Sequence, residues 1–338
     1  MAHPELPPPA QLMHLVTGRY VTQAIGAVAE LGIADQLKGG PRTAEEIAKA
    51  VRADGKAIYR LLRGLAMLGV FAEHEGQRFS LTPVGDLLRT DVPGSLAAMA
   101  MFQASVWHGR AWFELKHSLL TGEPAFDKAH GKPAFDWFAD HEAEAQTFHR
   151  AMVNFSSVLG QAVVAAYDFS HFKVIADIGG GHGALLAFIL GKSPGSTGVL
   201  FDRPEVVKGA SAVLTQHGVA ARATAVGGNF FESVPKADAY VIKHIIHDWS
   251  DQASATILRN CAAAMNPGGR VLVVEMVVPP IDTPSFAKLL DLEMLVMTPG
   301  GRERTESEFG TLFAEAGLKL ERIVPTQSPV AVLEASKA

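Results

Sequence analysis

Two clusters of residues in this chain have the types and spacing to do chemistry. The first is glycine-dense: Asp177-Ile-Gly-Gly-Gly-His-Gly183 follows the run Val174-Ile-Ala and precedes Ala184-Leu-Leu-Ala-Phe-Ile-Leu190. A strand that breaks into glycines and restarts as a helix is the entry unit of a doubly wound α/β domain, where ligands sit at the carboxyl ends of the strands. Glycine belongs there because the backbone must turn sharply and approach its ligand closely, which a Cβ would prevent. The spacing suits a nucleoside-like cofactor without naming it, since a nicotinamide fingerprint also threads through Gly179, Gly181 and Ala184. The second cluster, His244-Ile-Ile-His-Asp-Trp-Ser-Asp251, comes straight after the apolar run Ala237–Lys243. It puts an imidazole, a carboxylate and an indole at a strand's carboxyl end, in the crevice where a substrate would lie.

The elements that must position these residues can be read around them. Val199-Leu-Phe-Asp202 reads as a second strand ending in an acid that could chelate ribose hydroxyls. Ala237–Lys243 is the fourth strand, and Arg270-Val-Leu-Val-Val-Glu275 is a fifth, again ending in an acid. The chain closes with Leu318–Val324, a short polar turn, and Val330–Glu334. Strands joined by so short a link must be antiparallel, because a parallel crossover needs a dozen or more residues. A mainly parallel sheet with a terminal hairpin favours a methyltransferase over a dehydrogenase.

Five segments carry a resemblance to a known family: the DIGGGHG loop, FDRPEVV after the second strand, GGNFF at 227–231, KHIIHDWSD at 243–251 and PGGRERTESEF at 299–309. Together they resemble the plant-type and bacterial small-molecule O-methyltransferases that use S-adenosylmethionine, such as the caffeic acid, acetylserotonin and hydroxyneurosporene enzymes. The resemblance implies an α/β fold. Its catalytic domain would be a class I methyltransferase, Rossmann-like sheet with a C-terminal antiparallel hairpin, and an all-α or winged-helix dimerisation domain would precede it. The boundaries expected are 1–94 for the dimerisation domain, 95–168 for a helical linker that helps form the acceptor pocket, and 169–338 for the cofactor-binding domain.

Methyl transfer needs donor and acceptor in line and a proton removed. A phenol has a pKa near ~10 and is mostly protonated at neutral pH. Histidine, with an unperturbed pKa near ~6.5, suits the task of base. The resemblance gives that role to His247 and flanks it with Glu275 and Glu303, a carboxylate on the far ring nitrogen fixing the tautomer and stabilising the imidazolium. Asp248 reads as structural and His244 as packing. For the cofactor, S-adenosyl-L-methionine, the resemblance implies Gly179, Gly181, Asp202, Phe230 against the adenine, Lys243, and Ser156 near the methionine carboxylate. Asn229 departs from the family's aspartate, keeping an acceptor oxygen but losing the charge. The acceptor contacts expected are Phe148, Met152 and Phe155, which share one helical face, together with Trp249, Met294 and Thr298. No metal is expected, because His244 and His247 could share a cation only on a helix, and the pattern reads strand then loop.

Composition bounds the alternatives. With 338 residues, 48% of them hydrophobic, the chain can bury a large core in two domains. Its net charge of −5 gives no pull toward nucleic acid or anionic membrane. The single cysteine, Cys261, falls within a helix pattern and reads as packing. The opening residues lack a cationic segment followed by an apolar run, so a cytoplasmic enzyme of secondary metabolism is expected. Leu12–Leu37 has helical apolar spacing, Thr43-Ala-Glu-Glu46 is a capping box, Ala57–Leu68 reads as a helix, and Val70–Leu81 reads as a two-stranded wing. That winged-helix layout raises a DNA-binding regulator as a rival function. Its would-be recognition helix, however, is dominated by Leu61, Leu62, Leu65 and Met67, and no basic stripe accompanies it. A same-fold enzyme using the cofactor for non-methylating chemistry is the other alternative, against which stands the retention of His247 and both acids. The resemblance implies instead that the module holds a homodimer, each copy helping to wall its partner's acceptor pocket.

Overall fold

In the computed structural model, which describes residues 6–338 apart from the side chains of residues 157 and 158, the chain forms two compact units. The extreme N-terminus, on which the expectation of no secretory signal partly rests, lies outside the described residues. One unit comprises the residues up to 109 together with 142–155, and the other comprises 110–141 with 156–338. The helical middle is thus shared out: the 25-residue helix Glu142–Ala166 begins in one unit and ends in the other.

The first unit opens with helices α1 (Pro8–Val16) and α2 (Gly18–Glu30), followed by a 3-10 turn over Ala34–Leu37. The apolar spacing over Leu12–Leu37 therefore does not make one helix. Thr17 turns its hydroxyl back onto the Met13 carbonyl at 2.8 Å, a bond that competes with the helical ladder, and Gly18, a weak helix former, follows. At the far end Gly32 takes φ +63 and closes α2. Strand β1 (Arg42–Thr43) leads into α3 (Ala44–Val51), where Thr43 and Glu46 form the expected reciprocal capping box. Helix α4 (Gly55–Met67) buries Ile58, Leu62 and Leu65. After it, β2 (Phe71–His74) and β3 (Arg78–Leu81) pair antiparallel, and β1 adds to β3 to make a three-stranded sheet.

The second unit is built on a seven-stranded sheet. Its strands are β4 (Val174–Ile178), β5 (Thr197–Asp202), β6 (Ala223–Gly227), β7 (Ala237–Lys243), β8 (Met265–Glu275), β11 (Leu318–Pro325) and β12 (Ala331–Lys337). Their spatial order is β11-β12-β8-β7-β4-β5-β6, parallel from β8 to β6, with β12 antiparallel to β8 and β11 antiparallel to β12. Ile242, Val273 and Leu333 join Leu258, Phe309 and Phe313 in one buried cluster, as expected of a parallel sheet covered by helices. Two short strands, β9 (Val277–Val278) and β10 (Arg304–Thr305), form a separate parallel bridge. Because β4 has β5 on one side and β7 on the other, the loops leaving β4 and β7 diverge and open a crevice at their carboxyl ends. Among the described residues no helix is long and apolar enough to cross a membrane.

Candidate active site

The glycine loop after β4 is shaped by what it must avoid. Gly179 has φ +67, and a Cβ there would lie 2.5 Å from the Ile245 side chain and 3.8 Å from the Phe230 ring. Gly181 has φ +60 and open space where its Cβ would be. Its amide donates to Asp202 Oδ2 at 2.8 Å, while Oδ1 of the same carboxylate accepts from the Arg203 amide at 2.7 Å. Burial raises the Asp202 pKa, opposed by those two amides. One crevice wall thus brings together Gly179, Gly181, Asp202 and Phe230. Asn229 is engaged locally: its Oδ1 accepts from the Phe231 amide at 3.0 Å and its Nδ2 donates to Glu232 at 3.0 Å. One lone pair of that oxygen stays available. Lys243 closes β7, where burial lowers its pKa against the pull of Asp177, Glu275 and Asp248. Ser156 is buried on the long helix.

Beyond Lys243 the backbone kinks. His244 adopts φ +51, a sparsely populated conformation for a residue with a Cβ, and a 3-10 turn over Ile246–Asp248 follows. This turn presents His247, which is buried with Glu275 and Glu303. The imidazole Nδ1 lies 2.7 Å from Glu303 Oε1. A carboxylate only accepts, so Nδ1 carries a proton and Nε2 faces away from Glu303. Glu275 flanks the same turn through the turn's backbone: its Oε1 accepts from the amides of Ile245 at 3.2 Å and His247 at 3.0 Å. Asp248, read from sequence as structural, brings Oδ1 to 3.6 Å from Nε2. Burial works against the imidazolium, but Asp248, the Glu303 hydrogen bond and Glu275 outweigh it and push the His247 pKa up to about 9. Burial likewise pushes Glu275 up to about 7 and Asp248 to about 6, each opposed first by His247. The His244 ring lies 4.9 Å from that of His247, and its pKa is driven well down by burial and the neighbouring Lys243 and His247.

Of the expected acceptor contacts, Trp249 follows the turn and meets Phe231 edge-on at 4.8 Å. Met294 and Thr298 are buried at the end of the helix Ala287–Met297, where the Thr298 hydroxyl donates to the Met294 carbonyl at 2.8 Å. Phe148, Met152 and Phe155 belong to the first unit, half-buried, with Phe148 edge-on to Phe102 at 5.5 Å. Sequence reasoning missed several supporting residues. Asp291 accepts the Glu303 amide at 2.8 Å. A Cβ on Gly301 would lie 2.5 Å from the His247 carbonyl and also strike the Thr298 hydroxyl. The only sequence signal for Gly301 was its place in the PGGRERT string, and none pointed to Asp291.

The comparisons with known proteins cover both units. An O-methyltransferase domain matches residues 112–319, and an O-methyltransferase dimerisation domain matches residues 13–91. This chain belongs to the S-adenosylmethionine-dependent O-methyltransferases. It is similar to the phenazine O-methyltransferase PhzM of Lysobacter antibioticus, 42% identical over 96% of this chain and 95% of that protein. The mitomycin biosynthesis 6-O-methyltransferase of Streptomyces lavendulae is 40% identical over 96% of this chain and 93% of its own. A crystal structure of human N-acetylserotonin methyltransferase in complex with SAM superposes with a TM-score of 0.91 at 29% identity, covering both chains completely.

The enzyme's cofactor is S-adenosyl-L-methionine, and the residues present fit it. The open space at Gly181 admits a ligand against the backbone, the Asp202 carboxylate at the β5 end can accept further hydrogen bonds, and the Phe230 ring flanks Gly179. The close approach at Gly301 makes a specific claim. Gly301→Ala should drive the Glu303 loop off the His247 carbonyl and lower kcat by about 10- to 100-fold, as ångström misplacements do. Binding of S-adenosylhomocysteine, measured by calorimetry, should not change. A variant with normal kcat would show that the contact holds nothing that matters.

Proposed function

We propose that this O-methyltransferase acts on an aromatic hydroxyl of a small, planar metabolite, with His247 as the general base. The observation that carries the reading is the buried 2.7 Å contact between His247 Nδ1 and Glu303. It orients the ring, leaves Nε2 to receive a proton and balances the imidazolium that results. S-Adenosylmethionine supplies an already electrophilic methyl group, so the residues have only to align the acceptor and accept its proton. Glu275 holds the backbone of the turn, and Asp248 adds negative charge beside Nε2. Trp249, Met294 and Thr298 are the acceptor contacts we assign in this unit, an aromatic and thioether lining suited to a flat ring. Phenazine, mitomycin and N-acetylserotonin, named for the relatives, are all ring compounds, which supports the same class of acceptor.

With its pKa near 9, His247 is mostly imidazolium at neutral pH, and the proton-accepting form grows as pH rises toward 9. For a phenol of ordinary acidity, kcat/KM should therefore climb with pH and level off near 9, since that ratio reports the free enzyme's base. His247→Ala should lose at least ~10² in kcat, the usual contribution of such a base, with cofactor binding preserved. A flat profile between pH 6 and 8 together with a fast alanine variant would remove the assignment.

We also infer a homodimer joined through the first unit. Helix α1 buries none of its residues, and Leu12, Met13, Leu15, Val16 and Tyr20 are all more than half exposed. Apolar surface of this kind marks an interface, and two-fold pairing is its commonest use. Val28, Ile33 and Leu37, by contrast, are spent in the unit's own core. Leu12→Lys combined with Leu15→Lys should turn a dimer into a monomer in sedimentation while leaving the melting temperature of the cofactor-bound second unit in place. An unaltered wild-type monomer at micromolar concentration would end this inference.

A further inference from the structure

Arg304 is the largest side chain that the fold buries completely. A guanidinium leaves water at a high cost and is kept only where several acceptors converge on it. Here Nε donates to Asp251 Oδ1 at 2.9 Å, and Nη2 lies 2.8 Å from the same oxygen. Nη1 donates to the carbonyls of Ile246 at 3.0 Å and Arg302 at 3.3 Å. Nη2 donates to the Trp249 carbonyl at 2.9 Å and the Ser254 hydroxyl at 3.4 Å. Two of these carbonyls, those of Ile246 and Trp249, bracket the turn that carries His247 and Asp248. Ser254 Oγ reaches the same two carbonyls, at 3.1 and 3.3 Å.

Chain connectivity joins this clamp to the other side of the imidazole. Arg304 follows Glu303 directly, so one residue grips the ring of His247 and the next grips the backbone on either side of it. The segment is itself fixed, since Arg304 pairs with Val277 in the β9–β10 bridge and the Glu303 amide is held by Asp291. The Arg304 charge also draws the Glu275 carboxyl downward against the effect of burial.

We propose that Arg304 is a positioning residue for the transfer reaction: its fork holds both ends of the 246–249 turn in register with Glu303, so that the imidazole meets the acceptor at a fixed place. The function of the clamp rests on the reading of His247 as base, but its effect on the ring can be measured apart from catalysis. Lysine cannot replace it, because one ammonium point does not reproduce a planar fork spanning two carbonyls. Nor does it bond to the glycine loop or Asp202, so its loss should act on the His247 turn more than on cofactor affinity.

Arg304→Lys and Ser254→Ala in the full-length enzyme test the proposal through kcat and KM on a model phenol, S-adenosylhomocysteine affinity by calorimetry, and the far-downfield proton NMR signal of the His247 Nδ1–H. For Arg304→Lys we expect kcat to fall about 10- to 100-fold, the scale of a misplaced catalytic group. The cofactor-product affinity should stay unchanged, and the Nδ1–H signal should move or broaden. Normal kcat with an unmoved signal overturns the proposal, and so does a parallel loss of kcat and cofactor affinity, which marks general damage to the fold. Should Arg304→Lys not fold, Ser254→Ala decides, since it deletes one donor to the same carbonyls and keeps the buried charge. A lower kcat with a shifted signal then supports the clamp, and an unchanged kcat and signal overturns it. His247→Ala is the control: if it retains turnover the base reading fails, while a signal displaced by Arg304→Lys still establishes the clamp.

Discussion

An imidazole buried among carboxylates constrains everything near it. His247, Glu275 and Glu303 are withdrawn from water together, with Asp248 half-buried beside them, and such a group persists only when each charge has a partner whose own place is fixed. The surrounding structure meets most of that demand piece by piece, leaving the second oxygens of Glu275 and Glu303 without a hydrogen bond. Glu275 ends a buried strand and spends one oxygen on two backbone amides. Glu303 is anchored at its amide by Asp291 and followed by a strand bridged to β9, only two residues beyond Glu275. Gly301 lets the loop approach the His247 carbonyl, and Arg304 supplies a cation below the turn. Each of these features is intelligible as support for one ring, and few would be worth their local cost otherwise.

What could be read from sequence followed from local stereochemistry. The turn after β4 had to be glycine because Gly179 and Gly181 take positive φ and the Ile245 side chain lies where a Cβ on Gly179 would be. The terminal hairpin followed from loop length, and the Thr43–Glu46 box from the reach of two side chains. What sequence could not show lies where a remote partner overrides a local pattern. Thr17 breaks an apolar periodicity that otherwise runs on to Leu37. Glu275 faces amides that the sequence could not show to be beside it, and Asp248 points at the ring when adjacency suggested a structural part. Arginine is ordinarily exposed, so nothing local announces that Arg304 is buried. The string that contained it was conspicuous, but its physical meaning required the turn at 246–249 to be in view.

The two crevice walls also divide the labour between rigid and adaptable parts. On the proposed cofactor side the residues are backbone and short side chains, Gly179, Gly181 and Asp202, whose positions follow from the ends of β4 and β5. The proposed acceptor side uses Trp249 and Met294 beside a helix end, where side-chain shape can vary without disturbing a strand. A fold arranged in this way can keep one donor while the acceptor changes, which agrees with relatives named for compounds as different as phenazine and mitomycin.

On the proposed reading of His247 as base, the electrostatics of the cluster bear on which acceptors it would serve best. Carboxylates that orient His247 also raise its pKa to about 9, so a stronger base is obtained at the expense of its neutral population near pH 7. For an ordinary phenol, with a pKa near ~10, the raised value brings base and acceptor close to matched, so the proton can move in either direction at small cost. A more acidic hydroxyl, as on an electron-poor or quinoid ring, would enter already ionised and meet an imidazolium rather than an imidazole. The pair phenolate and imidazolium contains the same atoms and charge as phenol and imidazole, so the same residues serve both routes. On that reading the carboxylate on Nδ1 matters in each, because it stabilises the positive ring that would face the nucleophilic oxygen.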